Sequence, residues 1–210
     1  MLSLVVGASL AVVQSDVKRM LAYSSINHVG FLLVGVEAAG HRAGEADSGP
    51  GMPSVFVYLL FYAVLVIGSF AVVALVARGQ GGDTSLESFK GLAARRPALA
   101  LALTVFLLAQ AGVPFTTGFI AKFGVIRAAV DEQSYALAII AMVTAVIAAF
   151  LYLRIMVSAW LESPEGDVGR ERVPLGAGVA ISAAAVFTIV VGIVPGWVLD
   201  AADTVNQYAR

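Results

Sequence analysis

Long apolar runs alternate along the chain with short polar connectors. Five runs approach or exceed the ~20 mainly apolar residues a helix needs to cross a bilayer core. They cover 20–37, 54–77, 97–128, 135–161 and 174–199. A sixth run, 1–14 (MLSLVVGASLAVVQ), is apolar but short. It lacks the basic start and the cleavage site of a signal peptide. It reads as a re-entrant piece or, preferably, as the second half of a span. The runs are continuous rather than alternating, which excludes the strands of a membrane β-barrel. The predicted fold is an all-α membrane protein in one transmembrane domain over 1–210. It is a bundle of five full transmembrane helices plus one N-terminal partial span, with one broken helix at 97–128.

The connectors are polar. Residues 15–19 read SDVKR, and 162–173 read ESPEGDVGRERV. Residues 38–53 are rich in Gly, Asp, Glu and Pro, and 78–96 carry Arg78, Lys90, Arg95 and Arg96. Lys and Arg assign sides to a multi-span chain. One side collects Lys18, Arg19, Arg78, Lys90, Arg95, Arg96, Arg170 and Arg172; the other has Arg42, Arg127 and Arg210. The richer side is predicted to be cytoplasmic, with both chain ends outside. Tyr135, Trp160, Trp197 and Tyr208 fall near span ends, as an aromatic belt does. Residues 83–93 (DTSLESFKGLA) read as a short interfacial helix. Thr84 and Glu87 would form its capping box, with Leu86, Phe89 and Ala93 on one face.

Composition narrows the class. Hydrophobic residues make up 60% of the 210 positions and charged residues 13%, about half the charged share of a soluble domain. Mean hydropathy is +0.91. Too little polar surface exists for a soluble enzyme, and a net charge of -1 offers no nucleic-acid footprint. Cysteine is absent and histidine occurs twice, so thiolate chemistry is excluded and no transition-metal site is expected.

Chemistry in a membrane bundle concentrates where polarity or backbone irregularity is tolerated at depth. As one straight helix, 97–128 would be about 48 Å long, against a hydrocarbon core of about 30 Å. Its middle reads QAGVPFTTG, from Gln110 to Gly118. Pro114 removes a helical hydrogen bond and clashes with the Gln110 carbonyl. Gly112 and Gly118 permit unusual backbone angles. Gln110, Thr116 and Thr117 offer partners to freed backbone groups. The pattern predicts an unwound break between two half-helices, a device that builds ion sites in transporters. A plain proline kink is the bland alternative.

Lys122 follows the break by one turn from Gly118. Such a lysine faces a partner or a wet cavity, or else snorkels to the surface. His28 lies near the middle of 20–37, and Ser24 shares its helix face. Tyr23 and Asn27 form an adjoining pair. Histidine titrates near neutrality and suits proton transfer, or it hydrogen-bonds a neighbouring helix for packing. Tyr58, Tyr62 and Ser69 recur along the next span, as wetting groups or as interhelical hydrogen bonds. Arg154 lies a turn or two inside its span end, within reach of the surface.

DVKRMLAYSSINHVGFLLVGV and GVPFTTGFIAKF together resemble the antiporter-like membrane subunits of respiratory complex I. The resemblance is strongest to the subunit N branch of that NADH-quinone oxidoreductase family, over residues 14–36 and 55–160. It implies proton carriage along charged residues at half-membrane depth, coupled to quinone reduction elsewhere in the complex. It implies that Lys122 is the charged residue of the second broken helix, that His28 lies between central and exit lysines, and that Lys18 starts the same helix as His28. With Tyr62 these form the expected proton pathway; Gly112, Pro114 and Gly118 form the helix break. No cofactor is expected in this chain: NADH, FMN, iron–sulfur clusters and quinone belong to the complex. The implied partners are the other membrane subunits, the lipid bilayer and the missing N-terminal half of the same subunit, in a bacterial inner membrane. The chain resembles only the last part of such a subunit, so it is expected to be a fragment, a split gene product or a truncated gene product that does not pump alone. A multi-component cation/proton antiporter subunit is the rival reading. An accessory bundle that carries no protons is a third.

Overall fold

A computed structural model describes residues 1–41, 50–163 and 173–208. Nine α-helices follow one another among these residues: α1 (Leu2–Val12), α2 (Val17–His41), α3 (Gly51–Arg78), α4 (Leu92–Arg95), α5 (Pro97–Ala111), α6 (Thr117–Asp131), α7 (Tyr135–Leu161), α8 (Leu175–Ile193) and α9 (Gly196–Tyr208). The described residues contain no strand, and the chain is an all-α membrane protein. α3, α7 and α8 are long and apolar enough to span a bilayer, while α1 and α5 are shorter apolar helices. α2 has the length to span, but it carries Ser24, Asn27 and His28 in its buried face. Arg42, Arg170, Arg172 and Arg210 lie outside the described residues, as does the Tyr208 side chain.

Polarity is turned inward. Ser24, Asn27, His28, Ser69, Gln110, Thr117, Lys122, Thr144 and Ser158 are all buried. Val146 is 74% exposed and Val179 61%, with Ile139, Phe150 and Leu153 also outside. A soluble fold does the reverse; an apolar exterior around a hydrogen-bonded interior suits lipid.

α1 and α2 form a tight antiparallel pair. A Cβ on Gly7 would stand 2.5 Å from the Asn27 backbone nitrogen, so only glycine allows this approach. Asn27 Nδ2 donates to the Leu4 carbonyl at 2.8 Å and ties the pair together. α2 then runs antiparallel to both α3 and α7. The latter pairing shows in contacts of Ser24 with Tyr152 at one end and Glu37 with Ser134 at the other.

The connector after α3 departs from the predicted interfacial helix. Leu86–Phe89 forms one 3-10 turn, and Gly91 then adopts a φ of 63° before α4. The expected capping box does not form: Ser85 occupies the N-cap without a side-chain cap. The Thr84 hydroxyl donates instead to Asp16 Oδ2 at 2.5 Å. Backbone bonds reinforce that contact, from Val17 N to Thr84 O and from Leu86 N to Ser15 O, each 2.8 Å. Asp16 Oδ1 meanwhile accepts from Arg19 N at 2.8 Å, capping α2. Leu86, Phe89 and Ala93 pack on the core as the one-faced pattern predicts. Ser158 of α7 joins the same cluster through the Leu86 carbonyl.

The run 174–199 also divides. α8 stops at Ile193, because Pro195 biases Val194 to φ -125°, ψ 75°. α9 starts one residue beyond the proline. Tyr135 and Trp160 sit at opposite ends of α7, and Trp197 at the start of α9; all three are about half exposed.

Candidate functional site: the helix break and the buried hydrogen-bond chain

The break lies where the sequence puts it, though glycine rather than proline stops the helix. Gly112 takes φ 91°, ψ 36°. Its N–H reaches Ala109 O at 2.9 Å, and the Val113 N–H reaches Leu108 O at 3.1 Å. This paired closure satisfies the last carbonyls and ends α5 cleanly. Pro114 follows outside the helix. Phe115 has a positive φ of 66°, a costly state for a non-glycine residue that the packing must hold. Gly192 of α8 supplies that packing: its missing Cβ leaves room for the Phe115 carbonyl and Thr116 Cα. Thr116 caps α6, its hydroxyl donating to Val113 O at 2.7 Å and accepting from Phe119 N at 3.4 Å. Gln110 does not serve the freed backbone with its side chain, which donates to Ser69 Oγ at 3.2 Å. The Thr117 hydroxyl is buried without a hydrogen-bond partner.

Lys122 points inward and is only 5% exposed. Its ammonium donates to the carbonyls of Gln110 at 2.7 Å and Ala111 at 3.2 Å. These are terminal acceptors of α5, and a cation there is favoured by the partial negative charge of a helix C-terminus. The Phe31 ring lies under the ammonium, 5.0 Å from centroid to Nζ. Gly118 is what lets α6 come this close: a Cβ there would overlap the Ala109 carbonyl.

His28 is 2% exposed and held at both nitrogens. Nδ1 lies 2.7 Å from the Tyr58 hydroxyl and Nε2 3.1 Å from the Tyr152 hydroxyl. Tyr152 in turn lies 2.5 Å from Ser24 Oγ. Tyr62 stacks on the imidazole with centroids 4.4 Å apart. Its own hydroxyl, near Ser25, makes no hydrogen bond of normal geometry. Phe31 neighbours both His28 and Lys122, with 6.4 Å between the His28 and Phe31 centroids.

Of the predicted site residues, the structure brings together Lys122, His28 and Tyr62 with the break. Lys18 is exposed in the first turn of α2, about 15 Å along the helix from His28. Sequence reasoning missed Tyr152. The available signal was a phenol deep inside the apolar run of α7, which must find a hydrogen-bond partner there. Arg154 donates to the carbonyls of Val12 at 3.2 Å and Gln14 at 2.8 Å, capping the end of α1 rather than snorkelling. No group of three or more metal-ligating side chains occurs among the described residues.

Residues 1–148 match the family described as NADH:quinone oxidoreductase/Mrp antiporter, transmembrane. NADH-quinone oxidoreductase subunit N of Rhodococcus opacus is 42% identical over 210 residues, covering 100% of this chain and 37% of that protein. The chain thus spans little more than a third of that relative's length. A chain in respiratory complex I from Thermus thermophilus superposes with a TM-score of 0.79 at 30% identity, covering 96% of this chain and 43% of that one. A chain of an archaeal membrane-bound sulfane sulfur reductase reaches 0.84 at 28% identity, with coverages of 98% and 40%. With a family match over most of its length, an all-helical bundle and a broken helix that buries a lysine, the chain belongs to the NADH:quinone oxidoreductase/Mrp antiporter family of membrane proteins.

Proposed function

We propose that the chain forms the C-terminal part of a proton-translocating membrane subunit of an NADH-quinone oxidoreductase. The observation that carries this reading is the buried Lys122 ammonium at the end of α5. An ammonium has three N–H donors, and two of them here serve Gln110 and Ala111. The neutral amine retains two donors, enough to keep both bonds. The site can therefore lose a proton without dismantling the helix end.

His28 is the second proton-handling group. A neutral imidazole accepts at one nitrogen and donates at the other, and here each nitrogen has a hydroxyl partner. Tyr62 walls the imidazole. Lys18 collects protons at the α2 mouth, on the cytoplasmic side of a bacterial inner membrane. Gly112, Pro114 and Gly118 shape the break that admits water. Charge movement in neighbouring membrane subunits, and in the rest of the same subunit, drives Lys122 between its two states. Quinone reduction takes place elsewhere in the complex, where NADH, FMN, iron–sulfur clusters and quinone reside.

The test is Lys122→Met in the assembled complex that contains this chain, reconstituted into liposomes. Protons moved per electron are expected to fall; unchanged pumping would remove Lys122 from the path. Sodium-dependent proton exchange without NADH oxidation would instead assign the chain to a cation/proton antiporter.

A further inference from the structure

The hydrogen bonds around His28 extend further than a buried histidine needs for packing. They run Ser24–Tyr152–His28–Tyr58, with spacings of 2.5, 3.1 and 2.7 Å. Three helices contribute: α2 supplies Ser24 and His28, α7 supplies Tyr152, and α3 supplies Tyr58. Ser24, His28, Tyr58 and Tyr152 are each no more than 2% exposed.

The chain also has a direction. Ser24 lies one helical turn from His28, nearer the end of the bundle that carries Lys18 and Arg19. α2 and α3 are antiparallel, with Ala39 against Gly51 and Gly35 against Val55. That register puts Tyr62 level with His28, matching their stacked rings. It puts Tyr58 one turn further on, level with Phe31, whose ring lies 6.2 Å away. Phe31 in turn carries the Lys122 ammonium on its face. The four groups therefore advance from the Lys18–Arg19 end to the depth of Lys122.

We infer that Tyr152 is a proton-relay residue, linking Ser24 to His28 so that a proton crosses from α2 through α7 to the level of Lys122. This rests on the proton-carrying reading given above. In one step Ser24 passes its hydroxyl proton to the Tyr152 oxygen as Tyr152 passes its own to His28 Nε2. His28 releases the Nδ1 proton to the Tyr58 oxygen as Tyr58 passes its own to water admitted at the break, which hands a proton to the neutral Lys122 amine. Ser24, itself buried, takes a fresh proton from a water that enters from the Lys18–Arg19 end. Each group gains one proton and loses one, and no electron moves. The imidazole is left as the opposite tautomer and the hydroxyls point the other way. Rotation of the hydroxyls and a return of the ring tautomer reset the chain.

Tyr152→Phe keeps the packed ring and removes one oxygen. It is to be made in the assembled complex in liposomes, beside Lys122→Met and His28→Ala. Proton transfer through this subunit is expected to slow by about 100-fold or more, the scale of a lost acid–base group. A fluorinated tyrosine at position 152 keeps the ring and makes the hydroxyl more acidic. It should change the rate of translocation at fixed pH, which a packing role would not do. The groups facing the relay are Tyr58 and Tyr62 from α3, Ser24 and His28 from α2, and Lys122 from α6 across Phe31; all stay in place. If Tyr152→Phe pumps normally while Lys122→Met and His28→Ala do not, the relay is wrong and the lysine path stands. If all three pump normally, both fall. If Tyr152→Phe fails to assemble, the fluorinated variant decides: an unchanged rate rejects the relay.

Discussion

Lys122 and Gln110 meet across the helix break, the ammonium of one lying 2.7 Å from the carbonyl of the other. Twelve residues separate them in sequence, yet the contact follows from the local code. Pro114 has no N–H to offer the Gln110 carbonyl, and Gly112 has already turned the chain away. An orphan acceptor at membrane depth requires a donor. The next turn of α6 supplies it, along with a positive charge. The break and the lysine are one unit, each satisfying what the other leaves open.

Gly118 makes that unit possible, and Gly118→Ala is the sharpest test of its packing. The added methyl would fall on the Ala109 carbonyl, which is backbone and cannot swing aside. We expect a loss of about 1–3 kcal/mol, with α6 pushed back and Lys122 drawn off its carbonyls. Thermal unfolding and proton flux of the reconstituted complex report the two effects. Gly124→Ala is the control, since its nearest neighbour is the Ser54 side chain at 3.3 Å. Equal stability of the two variants would contradict this account of the break.

Arg154→Met removes the cap from the end of α1. The Val12 and Gln14 carbonyls lose a charged donor, at a cost of about 1–3 kcal/mol. The effect should be local. Hydrogen exchange is expected to accelerate over residues 12–16 and stay unchanged at the helix break. Slow exchange throughout would mean that the guanidinium holds nothing there.

Asp83 gives a pH-dependent prediction outside the membrane. The Ser85 backbone N–H donates to its Oδ1 at 2.9 Å and the Ser85 hydroxyl to its Oδ2 at 2.7 Å. The backbone bond chiefly, and the hydroxyl next, hold the carboxyl below its ordinary value of 3.8. A depressed carboxyl stabilises the fold above its unfolded pKa and loses that contribution as pH falls through the folded value. The Ser85 amide should therefore stay protected from exchange near pH 5 and lose protection only in stronger acid. Asp83→Asn should abolish this acid-dependent loss; a variant that retains it would transfer the effect to another group.

The sequence discloses the bundle and the charged end of the site better than its middle. Apolar length gives the spans, and Gly112 and Pro114 give the break, because backbone chemistry acts locally; Gly118 serves inside α6 by close packing on the Ala109 carbonyl rather than by an unusual backbone angle. Lys122 and His28 stand out because ionisable residues are expensive at depth. Tyr152 does not, since a phenol in an apolar run is ordinary until its partners on α2 are known. The Thr84–Glu87 spacing misleads for a related reason. A capping box is a local preference, and Asp16, far away in sequence, offers the threonine hydroxyl a charged acceptor. The division at Pro195 is hidden by the apolar length around it, since 174–199 reads as one span.

The clip between the Asp16 and Ser85 segments has a mechanical consequence. At that end of the bundle the α1–α2 turn, the connector after α3 and the tail of α7 are fastened by backbone and side-chain bonds. At the opposite end, a hydrogen bond from Ser134 to Glu37 joins α2 to the start of α7. The fastened helices act as levers with a common stiff root, and the constraint of the clip weakens with distance along each of them. Tyr152 lies nearer the clamp than Lys122, so the stiff root of the levers holds the histidine chain in register. The lysine lies further out, on α6, which none of these bonds fastens.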